Sequence, residues 1–153
     1  MVAVLQRVKS ASVYVNSKII SQINYGCLIL LGIHKEDTIK DSEKLSNKIS
    51  TFRMFADEKK NMNLSIQNIK GSILVVSQFT LCANWHKGRR PSFHLSASRE
   101  KGERLYLQFV KELKNKNINV KTGSFGAMMD VSLINDGPAT FILNSREGDY
   151  TDG

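Results

Sequence analysis

The chain opens on an alternation. Val2, Val4, Gln6 and Val8 are interleaved with Ala3, Leu5 and Arg7, a period of two that predicts a strand with two different faces. The extended pattern continues over 11–15, and further strand-like runs cover 19–23 and 26–33, with Asn24, Tyr25 and Gly26 as the turn between them. The period then changes. Leu45, Ile49 and Phe52 fall on one face of a helix while Lys44 and Lys48 point elsewhere. Thr38 stands three residues before Asp41, the spacing of a capping box, so the helix begins near Thr38. A Lys- and Asn-rich segment, 57–63, predicts a flexible surface loop. Next come a buried strand over 73–81, a polar basic loop over 84–92 and a second helix over 98–114, with Leu105, Phe109 and Leu113 inward. Gly102 sits inside that helix at about 1 kcal/mol against alanine, and nothing in the sequence accounts for it. Strands close the chain at 118–121, 126–133 and 140–144. Many strands and two helices that do not alternate with them predict an α+β fold on a mixed or antiparallel sheet.

Composition narrows this picture. The 153 residues, 41% hydrophobic, suit one domain over 1–153 with its own core, and residues 146–153 read as a flexible tail. Lys and Arg outnumber Asp and Glu by 22 to 14, a net charge of +8. That balance fits an anionic partner, nucleic acid first among them, and equally fits solubility alone. Cys27 and Cys82 lie in apolar runs without metal-ligand spacing, so they read as small buried hydrophobes, and no metal or cofactor is expected. No apolar run reaches membrane-spanning length, and the N-terminus reads as a strand, so the expected location is cytoplasmic.

Four strings carry candidate chemistry. Ser77-Gln78-Phe79-Thr80-Leu81 ends the apolar strand with two hydroxyls and an amide. A hydroxyl nucleophile needs a base within hydrogen-bond reach, but His34, His86 and His94 sit in no base motif and Ser77 is in no nucleophile elbow. Ser77 and Thr80 read equally as the polar end of a strand. Lys87-Gly88-Arg89-Arg90 puts three cations in four residues, with Trp85 and His86 beside them as stacking surfaces. This suits phosphate contact, or simply a solvated loop. Phe125 and Met129 lie among small residues and fit either a ligand wall or ordinary core. Gly137-Pro138, between two strand-like stretches, is a rigid turn and a candidate cis bond that could present backbone carbonyls with no side-chain freedom.

Taken together, these strings resemble a known family. Ala3-Val4-Leu5-Gln6-Arg7-Val8, Met62-Asn63-Leu64-Ser65, Leu74-Val75-Val76-Ser77-Gln78-Phe79-Thr80-Leu81, Lys87-Gly88-Arg89-Arg90-Pro91-Ser92-Phe93, Thr122-Gly123, Phe125-Gly126-Ala127 and Val131-Ser132-Leu133-Ile134-Asn135-Asp136-Gly137-Pro138 occur in order along nearly the whole chain. In this the chain resembles the D-aminoacyl-tRNA deacylases. The resemblance implies a metal-free, barrel-like homodimer that hydrolyses the ester between a D-amino acid and the terminal adenosine of tRNA, with glycyl-tRNA as a second substrate. It implies that Ser77, Gln78, Phe79 and Thr80 line the active site, with the substrate's 2′-hydroxyl assisting a water. A cis Gly137-Pro138 peptide would enter the partner's pocket and exclude L-amino acids. Phe125 and Met129 would flank the adenosine or the amino acid, and Lys87, Arg89 and Arg90 would meet the tRNA. The family's closing motif usually reads Gly-Pro-Val-Thr; here Ala139 stands in place of the valine.

Overall fold

The computed structural model describes residues 1–146. The opening alternation forms a 14-residue strand, β1 (Val2–Val15). Asn16 and Ser17 follow, both at positive φ (49° and 63°), the two-residue turn that matches strand twist. It leads into β2 (Lys18–Ile23), which pairs antiparallel with the far half of β1. β3 (Gly26–Gly32) returns along the near half of β1.

Helix α1 (Ile39–Thr51) starts where the pattern predicts, and the Asp41 carboxylate accepts the Thr38 N–H at 2.8 Å. The segment expected to be a flexible loop is instead tied into a small hairpin of β4 (Phe55–Ala56) and β5 (Met62–Leu64). The Asp57 carboxylate accepts the N–H groups of Lys59 and Asn61 at 2.9 and 3.0 Å, the local side-chain turn that aspartate favours. β6 (Ser72–Ser77) and β7 (Asn119–Thr122) extend the sheet in parallel from β3, with α2 (Arg99–Lys114) crossing between them.

Two expectations are corrected. The apolar strand ends at Ser77, and Phe79–Cys82 curls into a 3-10 turn. The last two of the three closing strands, expected over 126–133 and 140–144, are one 15-residue strand, β8 (Asp130–Asn144), antiparallel to β1 along nearly its whole length. The result is α+β: a mixed sheet in the order β2-β1-β3-β6-β7, with β8 on β1. The Ser21 hydroxyl on β2 donates to the Thr122 carbonyl on β7, so the sheet curls into a nearly closed barrel.

The alternation on β3 and β6 feeds two cores. Ile29, Leu31, Ile73 and Val75 face the helices, where Leu105, Phe109 and Leu113 are fully buried. Leu28, Leu74 and Val76 face the barrel interior with Val8, Val13 and Ile23. Ser42, Ser46 and Ser50 are buried along α1. Their small side chains let α2 approach, and the Ser42 hydroxyl donates to the Leu105 carbonyl at 3.3 Å. The Met1 ammonium and the Asp37 carboxylate form a fully buried pair at 2.6 Å. Arg146, the first residue of the expected tail, binds Glu36 and Asp37; the rest of that stretch lies outside the described residues. No helix among the described residues is long and apolar enough to cross a membrane.

Candidate active site

A cavity of about 340 Å3 opens where four elements meet. Leu31 at the end of β3 and Ser77, Gln78 and Phe79 at the end of β6 form one side; Arg99 and Gly102 of α2 and Phe125 of the following loop form the other. Ser77 reaches this cavity by register. It shares the helix-facing side of β6 with Ile73 and Val75, four and two residues before it.

The turn after Ser77 is held by its backbone. The Gln78 N–H donates to the Leu31 carbonyl at 2.8 Å, extending the β3–β6 ladder by one bond, and the Leu81 N–H donates back to the Gln78 carbonyl at 3.2 Å. The first N–H groups of a helical turn have no partner within it, which leaves those of Phe79 and Thr80 available. The Gln78 side-chain amide donates to the Thr80 hydroxyl. Phe79 is 57% exposed, and its ring meets Phe93 edge-on at 4.9 Å.

No base accompanies these hydroxyls. Among the described residues neither Ser77 nor Thr80 hydrogen-bonds a histidine or carboxylate; His94 bonds Ser92 at 2.8 Å, and His34 accepts the Glu36 N–H at 3.3 Å. Burial, then the Arg146 charge, lowers the His34 pKa. Cys82, at the end of the turn, is no thiolate source, because burial pushes its thiol up.

Phe125 closes the cavity from behind, its ring 5.5 Å from Tyr106. Tyr106 donates to the Val75 carbonyl at 2.7 Å, and burial pushes its phenol far above the ordinary range. Gly102 is now explained. A Cβ there would stand 3.4 Å from the tip of the Phe125 ring, so the glycine keeps this wall of the cavity open. Met129, paired with Phe125 in the sequence reading, lies elsewhere. It packs on the barrel-interior core, and its sulfur accepts the Ser124 N–H.

Gly137-Pro138 is cis and does not line the cavity of its own chain. It is not a turn between strands but an excursion within β8. Val8 pairs with Asn135 and Gln6 with Thr140, so residues 136–139 stand opposite Arg7 alone. Arg7, buried, donates Nε to the Asp136 carbonyl at 2.9 Å and a terminal nitrogen to the Met54 carbonyl at 2.8 Å, with the Asp136 carboxylate 3.4 Å away. Asn135 bridges the neck: its Oδ1 accepts the Ala139 N–H at 2.7 Å and its Nδ2 donates to the Thr140 hydroxyl at 2.9 Å. Tyr25 stands over the same carboxylate; burial raises its phenol pKa, and the charge of Asp136 adds to the rise.

Lys87, Arg89 and Arg90 are exposed on a loop pinched by two Asn84–Ser92 backbone bonds of 2.8 Å each. They do not line the cavity, but Phe93, one residue past the pinch, does. Trp85 on that loop is 73% exposed and lies against His86.

Residues 4–144 match the D-Tyr-tRNA(Tyr) deacylase family. The chain belongs to the D-aminoacyl-tRNA deacylases. It is 54% identical over 148 residues to the D-aminoacyl-tRNA deacylase of Thermosipho melanesiensis, covering 96% of this chain and 99% of that protein. It is 51% identical over 147 residues to that of a Sulfurihydrogenibium species, covering 96% and 99%. A solved structure titled as a c-Myc DNA unwinding element binding protein superposes with a TM-score of 0.89 at 42% identity, over 94% of this chain and 98% of that one. A probable eukaryotic D-amino acid tRNA deacylase shares the fold, with a TM-score of 0.81 at 18% identity.

Sequence reasoning missed the α2 side of the site. Arg99 and Gly102 line the cavity with Ser96, Ala97 and Ser98. The signal was a run of small residues before a helix that carries an unexplained glycine.

Proposed function

We propose that this chain is a cytoplasmic editing hydrolase that cleaves the ester between a D-amino acid and the 3′-terminal adenosine of tRNA, with glycyl-tRNA as a second substrate. The observation that carries this reading is a cavity with hydroxyls, aromatic faces and spare backbone donors but no base. An aminoacyl ester is already activated, so holding it and stabilising its charge suffices. The carbonyl oxygen sits against the N–H groups of Phe79 and Thr80, which take the negative charge as water adds to the carbonyl carbon. The substrate's ribose 2′-hydroxyl assists that water. The ester C–O bond then breaks and the ribose oxygen leaves with a proton. Thr80, held by Gln78, positions rather than attacks, while Phe125 and Phe79 offer aromatic faces to the adenosine or the amino acid. In this reading Met129 buttresses the loop behind them.

The working unit is a homodimer of single-domain chains. The strand that carries Gly137-Pro138 also exposes Ile134 and Ile142, by 56% and 73%, apolar surface suited to a second copy. The corner enters the partner's cavity and rejects L-amino acids by shape. Lys87, Arg89 and Arg90 meet the tRNA backbone, so affinity falls steeply with salt.

Deacylation of matched D- and L-aminoacyl-tRNA, with glycyl-tRNA beside them, tests this. Fast D and glycyl turnover with negligible L turnover is expected; equal D and L rates overturn it. Thr80→Ala is expected to lower the single-turnover rate less than about tenfold, since it removes one neutral hydrogen bond. A loss of several orders of magnitude would restore Thr80 as a nucleophile.

A further inference from the structure

The cavity carries one formal charge. Among its lining residues only Arg99 is ionic; the rest are apolar, aromatic, hydroxyl-bearing or amide. Arg99 is the first residue of α2, and its guanidinium rests against Gly126. That residue is at φ +74°, and a Cβ on it would stand 3.1 Å from a guanidinium nitrogen. The seat therefore exists because residue 126 has no side chain.

The guanidinium is also unpaired. Among the described residues Arg99 makes no hydrogen bond or ion pair. Lys101, two residues along the same helix, is by contrast engaged and donates to the Lys35 carbonyl. A planar fork of donors held at the lip of an uncharged cavity matches an anion with two adjacent oxygens.

Resting on the reading above, we infer that Arg99 is a substrate-positioning residue that grips the phosphodiester on the 5′ side of the terminal adenosine. That phosphate is the formal negative charge nearest the reacting ester, one ribose away. The other ionic group near the ester, the amino acid's ammonium, is repelled by the same guanidinium. Arg99 thus sets the direction in which the aminoacyl end lies, phosphate towards α2 and amino acid towards the Ser77 side. It contributes to binding rather than to the chemical step, because the phosphate has the same charge in ground and transition states.

Steady-state kinetics on D-tyrosyl-tRNA test this with wild type, Arg99→Ala and Arg99→Lys, together with the Kd for uncharged tRNA across a salt series. Arg99 is exposed, so the variants are expected to fold, and circular dichroism checks it. For Arg99→Ala, KM and Kd rise about tenfold, as for loss of a charge-assisted contact, with kcat within twofold. The slope of log Kd against log salt falls by about 0.7, the value for one phosphate on a single strand. Arg99→Lys recovers most of the salt slope but only part of the affinity, because it loses the fork. Unchanged KM and salt slope, or a fall in kcat alone, overturns the inference. The two readings fail separately. Hydrolysis with Arg99-independent KM and Kd removes the phosphate contact alone. Absent hydrolysis with an Arg99-dependent Kd removes the deacylase reading alone.

Discussion

The cavity and the Gly137-Pro138 corner are built in opposite ways. The cavity has little holding it: among the described residues the Ser77 hydroxyl makes no bond and Arg99 is unpaired, and Thr80, beside the lining rather than in it, is held by one amide. The corner is held from every side, by Arg7 through two carbonyls and a carboxylate and by Asn135 through a backbone N–H and a hydroxyl. A surface turn needs none of this. Such a weight of bonds on a short excursion fixes its shape, while the cavity is left adaptable. In the proposed function, selectivity resides in the stiff region and accommodation in the loose one.

Removing the stiff region's main support breaks the contrast most severely. Arg7→Ala strands the Met54 and Asp136 carbonyls and leaves a void where a buried guanidinium sat; a loss of about 3 kcal/mol is expected in urea unfolding, along with a collapse of the D/L rate ratio. Retained discrimination in a folded Arg7→Ala protein would show that the corner does not depend on this anchor. Asn135→Ala opens the neck and leaves Arg7 in place. It is expected to lower stability by about 1–2 kcal/mol and to relax discrimination partly, read as new turnover of L-aminoacyl-tRNA.

The loose region predicts the reverse sign. Gly102→Ala restores helix propensity of up to about 1 kcal/mol and places a methyl against Phe125 at ordinary contact distance. Melting temperature should rise by a few degrees while KM rises severalfold; a rise in stability with unchanged KM would remove Gly102 from the cavity's working wall. The smallest effect concerns Cys27, whose thiol burial pushes from 9.0 to about 12. Below pH 9 both states hold the proton and stability is flat. Between pH 9 and 12 only the unfolded thiol ionises, so its contribution falls by about 1 kcal/mol per unit. Native protein at pH 8 should leave this thiol unreactive to disulfide reagents until it unfolds.

Much of this was legible from residue order. Alternation in β1, the apolar period of both helices and the Thr38–Asp41 spacing are local signals, and the structure follows them. What escaped was decided at a distance. The polar string announces the end of a strand but not its exact place, at Ser77 rather than Leu81. The chain curls after the Gln78 N–H takes the Leu31 carbonyl, where the β3–β6 ladder stops. Gly137-Pro138 reads locally as a break, yet β8 runs through it because Arg7, 129 residues away from Asp136, closes the gap. Gly102 stayed unexplained until Phe125 was placed beside it, and Arg99 went unnoticed although a cation in the first turn of a helix opposes the macrodipole and so stood out locally. Lys87, Arg89 and Arg90, by contrast, drew notice through sheer density, and they stand outside the cavity.

The backbone of the Phe79–Cys82 turn has one last consequence. If its amide groups do the electrostatic work, no side-chain deletion can remove them. An alanine scan across residues 77–82 would then report on packing and positioning and leave the charge-stabilising groups untouched. Only replacing a peptide N–H by an ester oxygen, through semisynthesis at Phe79 or Thr80, would expose what the turn contributes.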